Sequence, residues 1–242
     1  MKGILIVHHG TFDHEAKARS LDRLYQESLH LADVVMECYV SQKILAKEGL
    51  SLDDAMKKMC DLGVDDLHVY NSLIVPGRAY KQFLKTVIPY STFFRHLTLE
   101  KPLLNEQTDF SNLARILAKN YPIEADKQYV LVGHGADAEV NKMYSRLEAA
   151  FLKLDYTQVH FALLRGHPAI EDLFDELDPK KKVIVCPLMM SAGHHVAHDV
   201  KDDQESSIER KLIDAHFDVE VLDQGLLEYQ DIRDLIIPKI DR

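Results

Sequence analysis

Tyr129-Val-Leu-Val-Gly-His-Gly135 decides the fold, because it repeats what Ile4-Leu-Ile-Val-His-His-Gly10 says near the start of the chain. Each stretch is a short apolar run that enters a His-Gly pair. The run is long enough for a buried strand and too short for a helix. A second pair carries the same message. Val69-Tyr-Asn-Ser-Leu-Ile-Val-Pro-Gly77 lines up with Ile184-Val-Cys-Pro-Leu-Met-Met-Ser-Ala-Gly193 if one residue is inserted. Two copies of a strand-and-turn unit predict two look-alike halves.

Around these four strands the rest of the chain alternates. In the first half, strands are expected at 3–7, 34–40, 67–71 and 93–99. Helices are expected at 14–31, in a short piece at 42–47, from the Ser51-Leu-Asp-Asp54 cap to Gly63, at 78–88 and at 109–121. In the second half, strands are expected at 129–132, 157–163, 183–186 and 219–222. Helices are expected at 139–153, 169–177, 205–217 and 228–240. Strands alternating with helices make parallel sheets with right-handed crossovers. The predicted class is α/β, with two similar lobes, each a four-stranded parallel sheet flanked by helices. Pro122 to Lys127 reads as the linker, which divides the chain into lobes 1–126 and 127–242.

Composition narrows the partners. The chain has 242 residues, 46% hydrophobic and 28% charged, with a formal net charge of -10. That is ordinary globular composition. The acidic balance argues against nucleic acid as a partner, while an anionic small ligand stays compatible through a few local Arg and Lys. Cys38, Cys60 and Cys186 are odd in number and far apart, with no CxxC, which fits a reducing compartment. Gly3 to Val7 is too short for a signal sequence, and no apolar run reaches membrane-spanning length. A cytoplasmic protein without a membrane partner is expected. A homo-oligomer stays open.

The unusual side chains fall at the carboxyl ends of the expected strands, where open α/β sheets bind their ligands. They are His8, His9 and Thr11, Ser72 to Arg78, His134, Arg165 and His167, and His194 to His198. The densest group follows the strand at 183–186, where Ser191-Ala-Gly-His-His-Val-Ala-His-Asp199 delivers three His and one Asp. A helix starting near Gly193 would put His195, His198 and Asp199 on one face, an arrangement suited to acid/base work or a borderline metal. Familiar nucleotide loops and the G-x-S-x-G elbow are absent. His134-Gly135 also lacks the preceding Arg that a phosphohistidine phosphatase needs, since position 133 is Gly.

Four segments carry a family resemblance: Val7-His-His-Gly-Thr11, Leu97-Thr-Leu-Glu-Lys-Pro-Leu-Leu104, Val132-Gly-His-Gly-Ala136 and Pro187-Leu-Met-Met-Ser-Ala-Gly-His-His-Val-Ala-His-Asp199, followed by Asp202-Asp203. In that order they resemble the anaerobic sirohydrochlorin cobaltochelatases of cobalamin biosynthesis, relatives of class II ferrochelatases. The resemblance implies a chelatase-like fold with a ligand cleft between the lobes. It implies a tetrapyrrole substrate into which a divalent metal is inserted, Co2+ first and Fe2+ or Ni2+ as alternatives. The family's metal triad is two His and one Glu. It places the two His, as metal ligands and catalytic groups, on His134 and His195. The Glu should stand three residues before a proline, and here that position is Arg165, in Leu164-Arg-Gly-His-Pro168. A guanidinium can neither ligate a metal nor accept a proton, but it can pair with a substrate carboxylate. His9, Thr11, Arg78 and Arg165 are therefore the expected tetrapyrrole contacts, with Lys81 a further candidate anchor. The Arg165 departure also raises a second reading, a chelatase-like protein that binds tetrapyrrole or metal without catalysis.

Overall fold

The structure, a computed structural model, describes residues 1–240 except Glu48, Ala136, His194, His195 and Asp203, and Lys43 by its backbone only. The chain forms two compact units. In the first, strands β1 (Lys2–His8), β2 (Val34–Tyr39), β3 (Asp66–Asn71) and β4 (His96–Leu99) lie in the order β2-β1-β3-β4. In the second, β5 (Lys127–Gly133), β6 (Val159–Leu163), β7 (Lys182–Pro187) and β8 (Val219–Val221) lie in the order β6-β5-β7-β8. Every pairing is parallel. The first strand of each half is central and almost wholly buried, which is why both read as unbroken apolar runs. The last strand of each half is an edge and half-exposed. One apolar cluster gathers Leu5, Val7, Met56, Leu67 and Phe83, and another gathers Val130, Val132, Val183, Val185 and Leu212.

The repeat holds at the level of single hydrogen bonds. Ser72 N donates to Val7 O, and Leu188 N donates to Val132 O, both at 2.8 Å. Glu100 N to Val69 O is matched by Leu222 N to Val185 O, each 2.9 Å. Leu103 N to Leu73 O is matched by Leu226 N to Met189 O. These pairs equate Val69 with Val185, so Val69–Gly77 and Val185–Gly193 correspond without the insertion expected from the sequence.

The helices depart from expectation in four places. The helix expected at 14–31 is two, α1 (His14–Arg19) and α2 (Leu21–Ser28). They break at Ser20, which is buried and whose Oγ donates back to Ala16 O. The pieces at 42–45 (α3), Leu52–Asp61 (α4) and Arg78–Val87 (α5) stand close to where they were expected. Pro89 ends α5 in a 3-10 turn, Ile88–Phe93, so β4 starts only at His96. After α6 (Gln107–Asn120) and α7 (Ala138–Leu152), the helix expected at 169–177 is a 3-10 turn, Ile170–Leu173. There the Asp172 carboxylate accepts Ala169 N at 2.7 Å and caps the turn. The helix expected to start near Gly193 is a single π turn, Val196–Val200, closed by Lys201 N to Val196 O at 2.8 Å. Val196 and Val200 are buried there, while His198 and Asp199 are exposed. The helix expected at 205–217 shortens to α8 (Ile208–Asp214).

The compact units do not follow the halves 1–126 and 127–242. One is Met1–Asn105 with Leu227–Arg242, the other Glu106–Leu226. Helix α6 packs on α7 in the second unit, where Tyr156 Oη donates to Ala118 O and Tyr121 stacks on Tyr129. The last helix, α9 (Gln230–Ile240), returns to the first unit. There the nearly buried Arg233 pairs with Glu27 of α2 at 2.9 Å, and Arg19 pairs with Glu228 at 2.9 Å. These long-range ion pairs join residues some 200 apart in sequence, which no local pattern reveals.

Candidate functional site

In the second unit, β5 delivers His134 immediately after its last residue. His134 is half-buried, and its Nδ1 lies 2.9 Å from Gly135 O. A carbonyl only accepts, so Nδ1 is the donor in this bond. A ring held through Nδ1 has Nε2 as the nitrogen that could serve a metal or an acidic proton. Two glycines make the turn. Gly133 leaves room for Tyr144, whose Cε1 would lie 2.3 Å from a Cβ at that position. Gly135 has φ +71°, and a Cβ there would lie 1.9 Å from Arg165 O. The loop after β6 therefore lies directly on the His134-Gly135 turn. Leu164 N donates to Gly133 O at 2.9 Å, Arg165 N to His134 O at 3.0 Å, and Leu163 N to Pro168 O at 2.8 Å, which closes the loop on itself.

That loop exposes Arg165 and His167. His167 Nδ1 sits 2.6 Å from Asp172 Oδ2. This hydrogen bond raises the imidazole above its usual range and lowers the Asp172 carboxyl. After β7, Gly193 O accepts Val196 N at 2.8 Å and Ala197 N at 3.1 Å, which starts the π turn. His198 Nδ1 lies 3.4 Å from Asp202 Oδ2. His195, expected as the second metal ligand, lies outside the described residues, as does His194. Among the described residues, no group of three or more His, Cys, Asp or Glu could hold a metal ion.

The first unit carries a different arrangement at the same end of its sheet. The bond from Val40 N to His8 O, at 2.9 Å, matches that from Leu164 N to Gly133 O. His8 thus stands where the second half has Gly133, and His9 corresponds to His134. His8 is fully buried. Ser72 Oγ donates to Val7 O at 3.3 Å, so its oxygen accepts His8 Nδ1–H at 2.9 Å. His8 Nε2 and Glu37 Oε2 lie 3.9 Å apart, and neither has a hydrogen-bond partner among the described residues. Glu37 is held through its other oxygen by Tyr39 Oη at 2.8 Å and Lys17 Nζ at 3.4 Å. His9 is exposed. Thr11 is buried, and its Oγ1 accepts Asp13 N at 3.1 Å, a turn that leads into the Asp13 cap of α1. Arg78 is exposed at the first position of α5, after Gly77. The structure therefore brings together His134, Arg165 and His167. It leaves His9, Thr11 and Arg78 on the other unit. Glu37, Tyr39 and Asp172 escape sequence reading because each lies inside an element with no motif around it.

Burial lowers His8 to about 3, with Lys17 adding to the effect. Below pH 6.5 the unfolded chain binds a proton at this ring that the folded chain does not, so stability falls with pH from 6.5 towards 3. The slope reaches about 1.4 kcal/mol per pH unit. Urea titrations at pH 7.5 and pH 5 are expected to show His8→Gln losing less stability on acidification than the parent. Equal losses would place His8 in contact with solvent.

Two solved chelatases are similar over nearly their whole length. SirB from Bacillus subtilis with Fe3+ matches with a TM-score of 0.71 at 14% identity, covering 99% of this chain and 94% of its own. The sirohydrochlorin chelatase SirB from Bacillus subtilis subspecies spizizenii in complex with cobalt matches with a TM-score of 0.68 at 12% identity, covering 99% and 93%. The chain belongs to the cobalt chelatase (CbiK) family, whose pattern matches residues 2–242. It is also 23% identical over 218 residues to the sirohydrochlorin cobaltochelatase of Salmonella typhimurium, which covers 85% of this chain and 82% of that enzyme. No helix among the described residues is long and apolar enough to cross a membrane.

Proposed function

We propose that the protein inserts a divalent metal, Co2+ before Fe2+ or Ni2+, into sirohydrochlorin or a related tetrapyrrole of cobalamin biosynthesis. The observation that carries this reading is the tautomer of His134. Its Nδ1–H is committed to Gly135 O, so Nε2 is the nitrogen that would take the ion. Imidazole suits the task because it binds Co2+ or Fe2+ reversibly near neutral pH. Insertion exchanges two pyrrole protons for one metal ion, so the same edge of the sheet must both hold the ion and receive protons. His195 is proposed as the second ligand on the family's pattern. Family membership and the sirohydrochlorin cobaltochelatase relative support the substrate.

Sirohydrochlorin is a polycarboxylate, and Arg165, exposed beside His134, matches that charge. Arg165→Ala is expected to raise KM for the tetrapyrrole about tenfold while kcat changes less, the signature of an anchoring contact. An unchanged KM would remove Arg165 from the site. The metal is tested by supplying Co2+, Fe2+ and Ni2+ in turn with sirohydrochlorin and following the tetrapyrrole absorbance. Co2+ is expected to give the highest kcat/KM, and a higher value for another ion would reassign the metal.

Arg165 also supports a second reading, because a cation stands where a metal-binding acid is expected. In that reading the protein carries a tetrapyrrole or metal without catalysing insertion. Tight sirohydrochlorin binding with no insertion above the protein-free rate would favour it.

A further inference from the structure

We propose that His167, held by Asp172, is the catalytic base that receives the pyrrole protons as the metal enters at His134. This step rests on the proposed function and adds the group that completes its proton balance. Three observations converge on it. First, the loop Leu164–Pro168 is bonded to the peptide of His134 and closes on Leu163, so His167 belongs to the same small structure as the metal-facing ring. Arg165 O fills the space that a side chain on Gly135 would need. The loop cannot swing away without losing these bonds.

Second, His167 is oriented from behind. Asp172 Oδ2 accepts His167 Nδ1 at 2.6 Å and Ala169 N at 2.7 Å. The backbone thus fixes the carboxylate, and the carboxylate fixes the imidazole with Nε2 outward. A carboxylate behind one nitrogen makes the other a better proton acceptor. Third, the His167 side chain is 84% exposed, so an accepted proton can pass on to water. Arg165, the other charged group of the loop, accepts no proton.

The step balances. A pyrrole N–H bond breaks, and its electron pair stays on nitrogen and becomes a donor to the metal. The proton passes to His167 Nε2 and then to water, which readies the ring for the second pyrrole proton. Asp172 faces the ring from the 3-10 turn, Glu171 beside it is paired with Lys211 of α8 at 2.7 Å, and Arg165 precedes it in the loop.

The test measures steady-state insertion of Co2+ into sirohydrochlorin by His167→Ala, His167→Gln and Asp172→Asn. Both His167 variants are expected to lose at least about tenfold in kcat, with the dissociation constant for sirohydrochlorin within about twofold of the parent. Added imidazole is expected to restore part of the rate of His167→Ala, since the position is open to solvent. Asp172→Asn keeps an acceptor behind Nδ1 and removes the charge, so the acid limb of its pH–rate profile is expected to move to lower pH. A kcat within about twofold of the parent in both His167 variants would overturn the proposal. So would a loss that imidazole leaves unrestored together with an unmoved profile in Asp172→Asn. A parent with no rate above the protein-free control would overturn the proposed function itself, whereas an active parent beside an active His167→Ala variant would overturn this step alone.

Discussion

His134→Ala is expected to reduce metal insertion at least about 100-fold while leaving the fold in place. The size follows from removing the group proposed to bind the metal directly, where losing even a supporting contact of a ligand costs 10- to 100-fold. The fold should tolerate the change because the hydrogen bond from Nδ1 runs to the neighbouring carbonyl, Gly135 O, and His134 is half-buried. The check pairs the rate of tetrapyrrole spectral change with a thermal unfolding curve. A near-parental rate would take His134 out of the site. A collapsed melting transition would show that the residue holds the turn together.

Gly135→Ala is expected to cost about 2–3 kcal/mol of stability and to depress insertion as well. Two terms add. An L-residue at φ +71° costs about 1 kcal/mol. The new Cβ would also stand 1.9 Å from Arg165 O, a backbone atom that cannot rotate aside. Relieving that contact moves the loop and sacrifices the bond from Arg165 N to His134 O, worth a further 1–2 kcal/mol or so. Gly63 provides the control. Its φ is +74°, and nothing lies within 4 Å of the position a Cβ would take. Gly63→Ala should therefore lose only the first term, about 1 kcal/mol. Urea unfolding of both variants separates strain from contact. Equal losses would mean that the loop on Gly135 yields freely.

These glycines also show how much of the molecule the sequence discloses. Apolar runs ending in His-Gly are visible because a strand buried on both faces must be apolar throughout and must stop at a residue that can turn. The central strands β1 and β5 follow from that rule, and the alternation of strands with helices supplies the parallel architecture. What escapes is set by particular side-chain bonds, some local and some between residues far apart in the chain. Ser20 divides a helix by bonding back to Ala16, and Asp172 turns an expected helix into a 3-10 segment by capping Ala169. The return of α9 to the first unit depends on Arg233 meeting Glu27, a partner that periodicity cannot name. In the candidate site, the strand-end positions of His134 and Arg165 are legible from motif and strand pattern. The tautomer of His134 is not, because it depends on where Gly135 O points. The support of His167 is not either, because Asp172 lies five residues away in a turn that the sequence pattern mistakes for a helix.

The central claim is that this chain catalyses metal entry rather than merely binding the macrocycle. Continuous absorbance recording of sirohydrochlorin with excess Co2+, with a trace of the protein and without it, tests that most directly. The account predicts a rate proportional to protein concentration and many product molecules formed per protein. A rate indistinguishable from the protein-free reaction, with sirohydrochlorin bound in a fixed ratio to the protein, would contradict it.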